Sequence, residues 1–276
     1  MNNNAARITL FDTTLRDGEL ALKSKFSIPQ KLQLAEHLVA LRVEVLEIGY
    51  PGMYSVDEEA MQRVSKQVKP TTLCGLANSR SDEITKVATA LKQTDNGRIN
   101  VYTPTRLTNS SRVHQNQTLE TIQNSIALAR NHCDDVQWTA FDATRSQSDF
   151  LCRSIETAIR SGATTVTIAD SLGIASPQTF ADLLESVMYR VPNIEQATIG
   201  VHCHDDLGFA VENSLIALDY GVRQIECSIN GLGARKGNAD LGKVVRGIQN
   251  GAKYQTAIDP SRLEQISALV KQITNT

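Results

Sequence analysis

The sequence predicts a closed (β/α)8 barrel, on three observations. Short β-branched runs recur eight times, longer segments with apolar residues at helical spacing lie between them, and no stretch rich in Pro, Gly or Ser divides the series. An open doubly wound sheet is the rival arrangement, but eight near-equal units favour closure. The expected organisation is one barrel domain over residues 1–276, with an additional C-terminal helix at about 260–274.

The expected strands, in order, are Arg7–Phe11, Val43–Ile48, Thr71–Cys74, Arg98–Tyr102, Val136–Ala140, Thr164–Ile168, Thr198–His202 and Arg223–Ile229. Among the helical segments, Leu32, Leu34, Ala35, Leu38, Val39 and Leu41 form one apolar stripe, and Leu119, Ile122, Ile126, Leu128 and Ala129 form another. Helix starts are marked by Pro29, by Ser81 ahead of Asp82 and Glu83, and by Ser176-Pro177. Gly162 and Gly221 stand where a helix must stop before the next strand.

Composition narrows the function. Lys and Arg total 28 against 30 Asp and Glu, a net charge of −2, and the basic residues are dispersed. That balance argues against nucleic acid or an anionic membrane surface as partner and for a small-molecule protein. Cys74, Cys133, Cys152, Cys203 and Cys227 contain no CxxC pair, which fits a reducing cytoplasm rather than a disulfide framework or thiolate zinc site. The N-terminal MNNNAAR has no apolar signal core, and no apolar run approaches the ~18 residues of a membrane span. A cytoplasmic protein is expected.

Barrel active sites lie at the C-terminal ends of the strands. There the strand-7 segment reads VHCHDDLG: alternation puts His202 and His204 on one side and Cys203 on the other. Strand 1 ends in LFDTTLRDGEL, with Asp12, Arg16 and Asp17. Strand 8 is followed by NGLGARKGNADL, whose three glycines in seven residues imply a tight loop; its spacing matches neither GxGxxG nor a P-loop. Strands 7, 8 and 1 are neighbours in a closed barrel, so Asp17, His202, His204 and Asn238 can converge. Two nitrogens and two oxygens suit a divalent ion such as Zn, Mn, Co or Mg, with positions left for a chelating substrate.

The ordered motifs DTTLRDGE, LEIGYP, IADSLG, HCHDDLGFAVENSLIAL and NGLGARKGN resemble the DRE-TIM metallolyase superfamily, which contains homocitrate synthase, isopropylmalate synthase and 3-hydroxy-3-methylglutaryl-CoA lyase. The likeness runs from about residue 7 to 250. It implies that Asp17, His202, His204 and Asn238 hold the metal. It further implies that Arg16 steadies charge on the substrate carbonyl or enolate, that Glu47 contacts substrate, and that the hydroxyl of Ser171 replaces a family threonine on a substrate carboxylate. Thr139 and Phe141 are expected to face the substrate. The implied substrates are a 2-oxo acid and an acyl-CoA.

Departures from the family pattern gather in the pocket. Phe141 replaces a family glutamate in FDATR, and alternation points the adjacent Asp142 elsewhere. Leu20 replaces a glutamine in RDGEL, and GARKGN carries Ala234 and Lys236. The synthases also carry a further segment thought to help enolise the acyl-CoA, which is expected here from a homodimer partner or a separate chain. General acid–base help is worth roughly 10²–10⁴ in rate, so losing such groups bears on enolisation more than on metal chemistry. Three readings follow: an acyl-CoA condensing enzyme with another base, Tyr102 or His114; a metal-dependent aldolase or lyase; or a metal-binding barrel without turnover. Leu20, Phe141 and Leu172 are candidates for an apolar specificity wall.

Overall fold

The structure is a computed structural model that describes residues 5–108 and 111–275; Met1–Asn4, within the MNNNAAR stretch, lie outside the described residues. Eight parallel strands form the expected closed barrel: β1 Thr9–Asp12, β2 Val45–Gly49, β3 Thr72–Asn78, β4 Gly97–Pro104, β5 Asp135–Phe141, β6 Thr165–Asp170, β7 Thr198–Cys203 and β8 Gln224–Cys227. Each pairs with its neighbours in sequence, and β1 closes on β8 with Thr9 opposite Gln224 and Asp12 opposite Cys227. The surrounding helices are α1 Ile28–Ala40, α2 Ser55–Gln67, α3 Ser81–Ala90, α4 Arg112–Arg130, α5 Ser148–Arg160, α6 Pro177–Arg190, α7 Ala210–Ile216, α8 Leu241–Asn250 and α9 Leu263–Thr274. The last is the expected C-terminal helix, and a 3-10 turn at Pro260–Arg262 leads into it.

Local chemistry explains most boundaries. The side chains of Ser27 and Ser176 accept backbone hydrogen bonds at the starts of α1 and α6, with proline in the first turn of each. Gly162 and Gly221 take the left-handed conformation after their helices, at φ 106° and 87°. Three sequence expectations need correction. Arg7 is outside β1, in a two-residue strand Ala6–Arg7 that pairs with Tyr254–Gln255 instead. Strand β3 runs on through Gly75 to Asn78 because the glycine is needed for close packing: a Cβ there would lie 2.4 Å from the Met61 methyl on α2. Strand β8 stops at Cys227, since Ile229–Gly231 turn sharply with Asn230 at φ 57°. Ser81 begins α3 as expected, with Arg80 at the cap position making no side-chain bond.

Strand alternation divides the molecule into two unlike interiors. Outward residues such as Trp138, Ile168, Val201 and Ile225 join the helices in one large buried apolar core. Inside the barrel, a small apolar plug of Phe11, Val45 and Cys74 accompanies hydrogen-bonded polar side chains. Arg98 reaches across from β4 to donate to Gln224 (2.7 Å), and Gln137 on β5 donates to Glu226 on β8 (2.8 Å). The polar filling differs from the Val, Ile and Leu layers common in such barrels, and it leads upward to the mouth. Among the described residues, no helix is long and apolar enough to cross a membrane.

Candidate metal centre and active site

Backbone pairing brings the strand-7 histidines and the strand-8 loop together. His204 forms an isolated antiparallel bridge with Asn238, and the Asp205 N–H donates to the Gly237 carbonyl at 2.9 Å. The glycines have local reasons. Gly237 sits at φ 109°, and a Cβ on Gly233 would lie 2.6 Å from the Asn238 carboxamide. The loop closes tightly around Asn238 rather than forming a phosphate cradle.

Asp17, His202 and His204 are buried and each offers a donor atom within 4.8 Å of the others. The hydrogen bonds imply the histidine tautomers. His202 Nδ1 is 2.9 Å from Glu226 Oε2 and His204 Nδ1 is 3.1 Å from the Gly237 carbonyl, so both Nδ1 atoms are committed to acceptors. Their Nε2 atoms face one another at 3.3 Å. Two neutral rings in these tautomers would oppose lone pairs there, a contact relieved by a proton or a cation. The Asn238 Nδ2 group donates to Asp17 Oδ2 (2.8 Å), which leaves Asn238 Oδ1 buried without a hydrogen-bond partner. An orphaned buried oxygen beside a carboxylate and two facing imidazoles fits a divalent cation.

Electrostatics agree with the geometry. Burial by itself raises the Asp17 carboxyl, but Arg16, both histidines and Asn238 outweigh it and hold it below the usual carboxylate range. Burial likewise opposes charge on His202, yet Glu226 and then Asp17 raise its pKa overall. At His204, burial and neighbouring His202 lower the pKa to about 4. Arg16 donates to Glu47 at 2.6 Å and to Asp17 at 2.7 Å, so its guanidinium is held from two sides. Glu47 is wholly buried and its pKa is raised, burial outweighing the attraction of Arg16.

Arg16, Asp17, His202, His204 and Glu226 line a cavity of about 490 Å³ at the C-terminal mouth, whereas Glu47 and Asn238 are not among its lining residues. Thr139, Ser171 and Phe141 line it too, as do Leu20 and Leu172. Of the expected metal and substrate residues, all but Glu47 and Asn238 line this cavity; Glu47, expected to contact substrate, is instead fully buried and paired with Arg16, and Asn238 donates to Asp17. Asp142 is excluded, as alternation implied: with φ 62° its side chain turns back to pair with Arg145, while its N–H donates to Ser171 Oγ at 2.8 Å. His114 lies in the first turn of α4 and is absent from the cavity lining, whereas Tyr102 lines it and meets Tyr50 oxygen to oxygen at 3.1 Å.

The sequence reading missed Glu226 and Asn100. Glu226 accepts from Gln137 and Thr167, both at 2.8 Å, while orienting His202. Asn100 donates to Glu47 (3.2 Å) and accepts from Thr139 (2.9 Å). Both were visible as polar residues at inward positions of β-branched strands.

The fold and the site together define a (β/α)8 barrel whose mouth gathers Asp17, His202 and His204, a group that could hold a metal ion, next to the paired guanidinium of Arg16. The HMGL-like family model matches residues 7–270, and the chain belongs to that family. It is 41% identical over 275 residues to 2-isopropylmalate synthase of Methylorubrum populi, covering 98% of this chain and 53% of that protein. It is 40% identical over 275 residues to 2-isopropylmalate synthase of Aquifex aeolicus, covering 97% of this chain and 53% of that one. The chain thus spans about half the length of the curated relatives it matches. In fold it is similar to the crystal structure of HMG-CoA lyase from Brucella melitensis, with TM-score 0.80, 20% identity, and coverage of 99% of this chain and 100% of that chain.

Proposed function

We propose that this barrel forms a carbon–carbon bond at a 2-oxo acid by condensation with an acyl-CoA, in the manner of the isopropylmalate synthases. The observation that carries the reading is the convergence of Asp17, two facing histidine nitrogens and the orphaned Asn238 oxygen beside Arg16. Asp17, His202, His204 and Asn238 would hold the divalent ion, Zn, Mn, Co or Mg. A bound divalent ion supplies Lewis-acid polarisation of a chelated carbonyl.

The protein's own groups do the remaining work. Arg16, immobilised by Glu47 and Asp17, presents fixed positive charge to the oxygen that becomes negative. Ser171 Oγ already accepts from Asp142, so its proton remains to donate to a substrate carboxylate. Thr139 and Asn100 keep Glu47 in register. Leu20, Leu76, Tyr102 and Phe141 line the same cavity and would surround the substrate's side chain. Tyr102 is the proposed base, since His114 does not line the cavity. A second copy or a separate chain is proposed to complete the acyl-CoA site; size-exclusion chromatography with and without substrates tests this by whether a larger species forms.

The discriminating experiment is metal-dependent release of free thiol from acetyl-CoA across a panel of 2-oxo acids. Pyruvate release from 4-hydroxy-2-oxo acids is measured beside it. Thiol release that requires both metal and oxo acid supports the synthase reading. Pyruvate release alone overturns it in favour of a metal-dependent aldolase, the reading that Phe141 favours by standing where the synthases carry an acid.

A further inference from the structure

Beside the loop that carries Arg16 and Asp17 lies a buried charge cluster, Lys25, Lys31, Glu19 and Asp57, none of which lines the cavity or belongs to the candidate cation site. Lys31 on α1 is fully buried, an arrangement that requires its ammonium to be satisfied on all sides. Its Nζ donates to the Leu15 carbonyl (2.9 Å), the Ile48 carbonyl (2.9 Å) and Asp57 Oδ1 (3.2 Å), and lies 2.9 Å from Glu19 Oε2. Lys25 joins the same carboxylates, at 2.7 Å from Asp57 and 3.2 Å from Glu19, so two ammoniums balance two carboxylates. Asp57 also accepts from the Tyr50 N–H (2.9 Å), and Glu19 from the Phe26 N–H (2.9 Å).

The two carbonyls are the informative contacts. Leu15 immediately precedes Arg16, and Ile48 immediately follows Glu47. One ammonium therefore grips the backbone on both sides of the 2.6 Å Arg16–Glu47 pair, while Glu19 anchors the same loop two residues beyond Asp17. We infer that Lys31 is a positioning residue, a buried clamp that sets the loop bearing Arg16 and Asp17 against the end of β2. The role of Arg16 and Asp17 in chemistry rests on the function proposed above; the clamp itself does not.

The test uses the whole chain carrying Lys31→Met, with two controls: Lys25→Met, which removes a charge from the same cluster without touching either carbonyl, and Leu184→Ala, a buried truncation on α6. Two readouts are taken at a temperature where circular dichroism shows each variant folded. These are hydrogen exchange of the Arg16 Nε–H by NMR without metal, and Mn²⁺ affinity by calorimetry. Lys31→Met is expected to speed Arg16 exchange and to weaken Mn²⁺ binding by about 10-fold each, with both controls within about 2-fold of the parent. If Lys31→Met does not fold, Asp57→Asn is read in its place, with the same direction expected and about 3-fold or more. Unchanged exchange in the folded variant, or equal changes in Leu184→Ala, overturns the clamp. If the parent chain itself binds no Mn²⁺, the metal assignment fails, and the exchange readout still decides the clamp.

Discussion

The two sides of the barrel mouth are built on opposite principles. Around the ends of β1, β7 and β8, ionisable side chains are almost wholly buried and locked to one another: Asp17 to Arg16 and Asn238, His202 to Glu226, His204 to the Gly237 carbonyl. Around the ends of β4 and β5 the wall is aromatic and more open, with Phe141 45% exposed and tilted against Tyr102 at 5.8 Å between ring centres. The first side can hold charge because these ionisable groups are paired with one another, and the Asn238 oxygen beside them is buried without a hydrogen-bond partner. The second is joined by hydroxyl and amide contacts, such as those of Tyr102 with Tyr50 and Asn78. Of the departures at Leu20 and Phe141, Phe141 stands on this wall, whereas Leu20 follows Asp17 after β1 on the charged side; both line the cavity. On the function proposed above, the charged end would hold the ion and the aromatic wall would meet the substrate's side chain.

The sharpest way to break that division is at the ligands. His202→Ala or Asp17→Asn is expected to abolish bound metal, read by atomic emission after dialysis, and to lower turnover by more than about 10³. Retained stoichiometric metal in both would remove the charged side from its assigned role. Next, Arg16→Gln is expected to cost about 10²–10³ in kcat with metal content held, because it removes preorganised charge rather than a ligand. A change confined to KM would instead make Arg16 a simple binding group.

Glu226→Gln probes the support beneath the ligands. It keeps shape but withdraws the negative charge from His202, and metal affinity is expected to fall about 10–100-fold by competition with a fluorescent chelator. On the opposite wall, Phe141→Glu is expected to shift kcat/KM for the oxo acid by about 10-fold or more while leaving metal content unchanged. If turnover were indifferent to this change, position 141 would lie outside the functional cavity.

The mildest expected effect lies just below the charged side. Burial raises the Asp12 carboxyl to about 7, against the bonds from Thr14 that lower it. An acid with a raised folded pKa contributes stability that is full below its unfolded value of 3.8 and is lost as pH climbs through about 7. Asp12→Asn is expected to flatten the fall in unfolding free energy between pH 4 and 8, by up to about 4 kcal/mol at roughly 1.4 kcal/mol per pKa unit. Urea titrations of both proteins across that range are the check.

Much of this was legible beforehand because its causes are local. Alternation in VHCHDDLG put two imidazoles on one side, proline and serine marked the starts of α1 and α6, and glycine marked helix ends. The motif order then brought Asp17, Arg16 and Asn238 to adjacent strands. Gly75 misled because a glycine within an apolar run weakens the strand pattern, while its purpose, contact with Met61, belongs to a helix elsewhere in the chain.

By itself, then, the sequence determined the eightfold repeat, the barrel class and the residues that gather at its mouth, since periodicity and short-range turn chemistry are properties of neighbouring residues. Only the tertiary structure decided which polar groups are paired. Glu226 beneath His202, Lys31 between Leu15 and Ile48, and the unpartnered oxygen of Asn238 each depend on contacts between distant segments. The physical reason is burial: a charge or carbonyl far from water must find its partner in space, and no spacing along the chain states which partner that is.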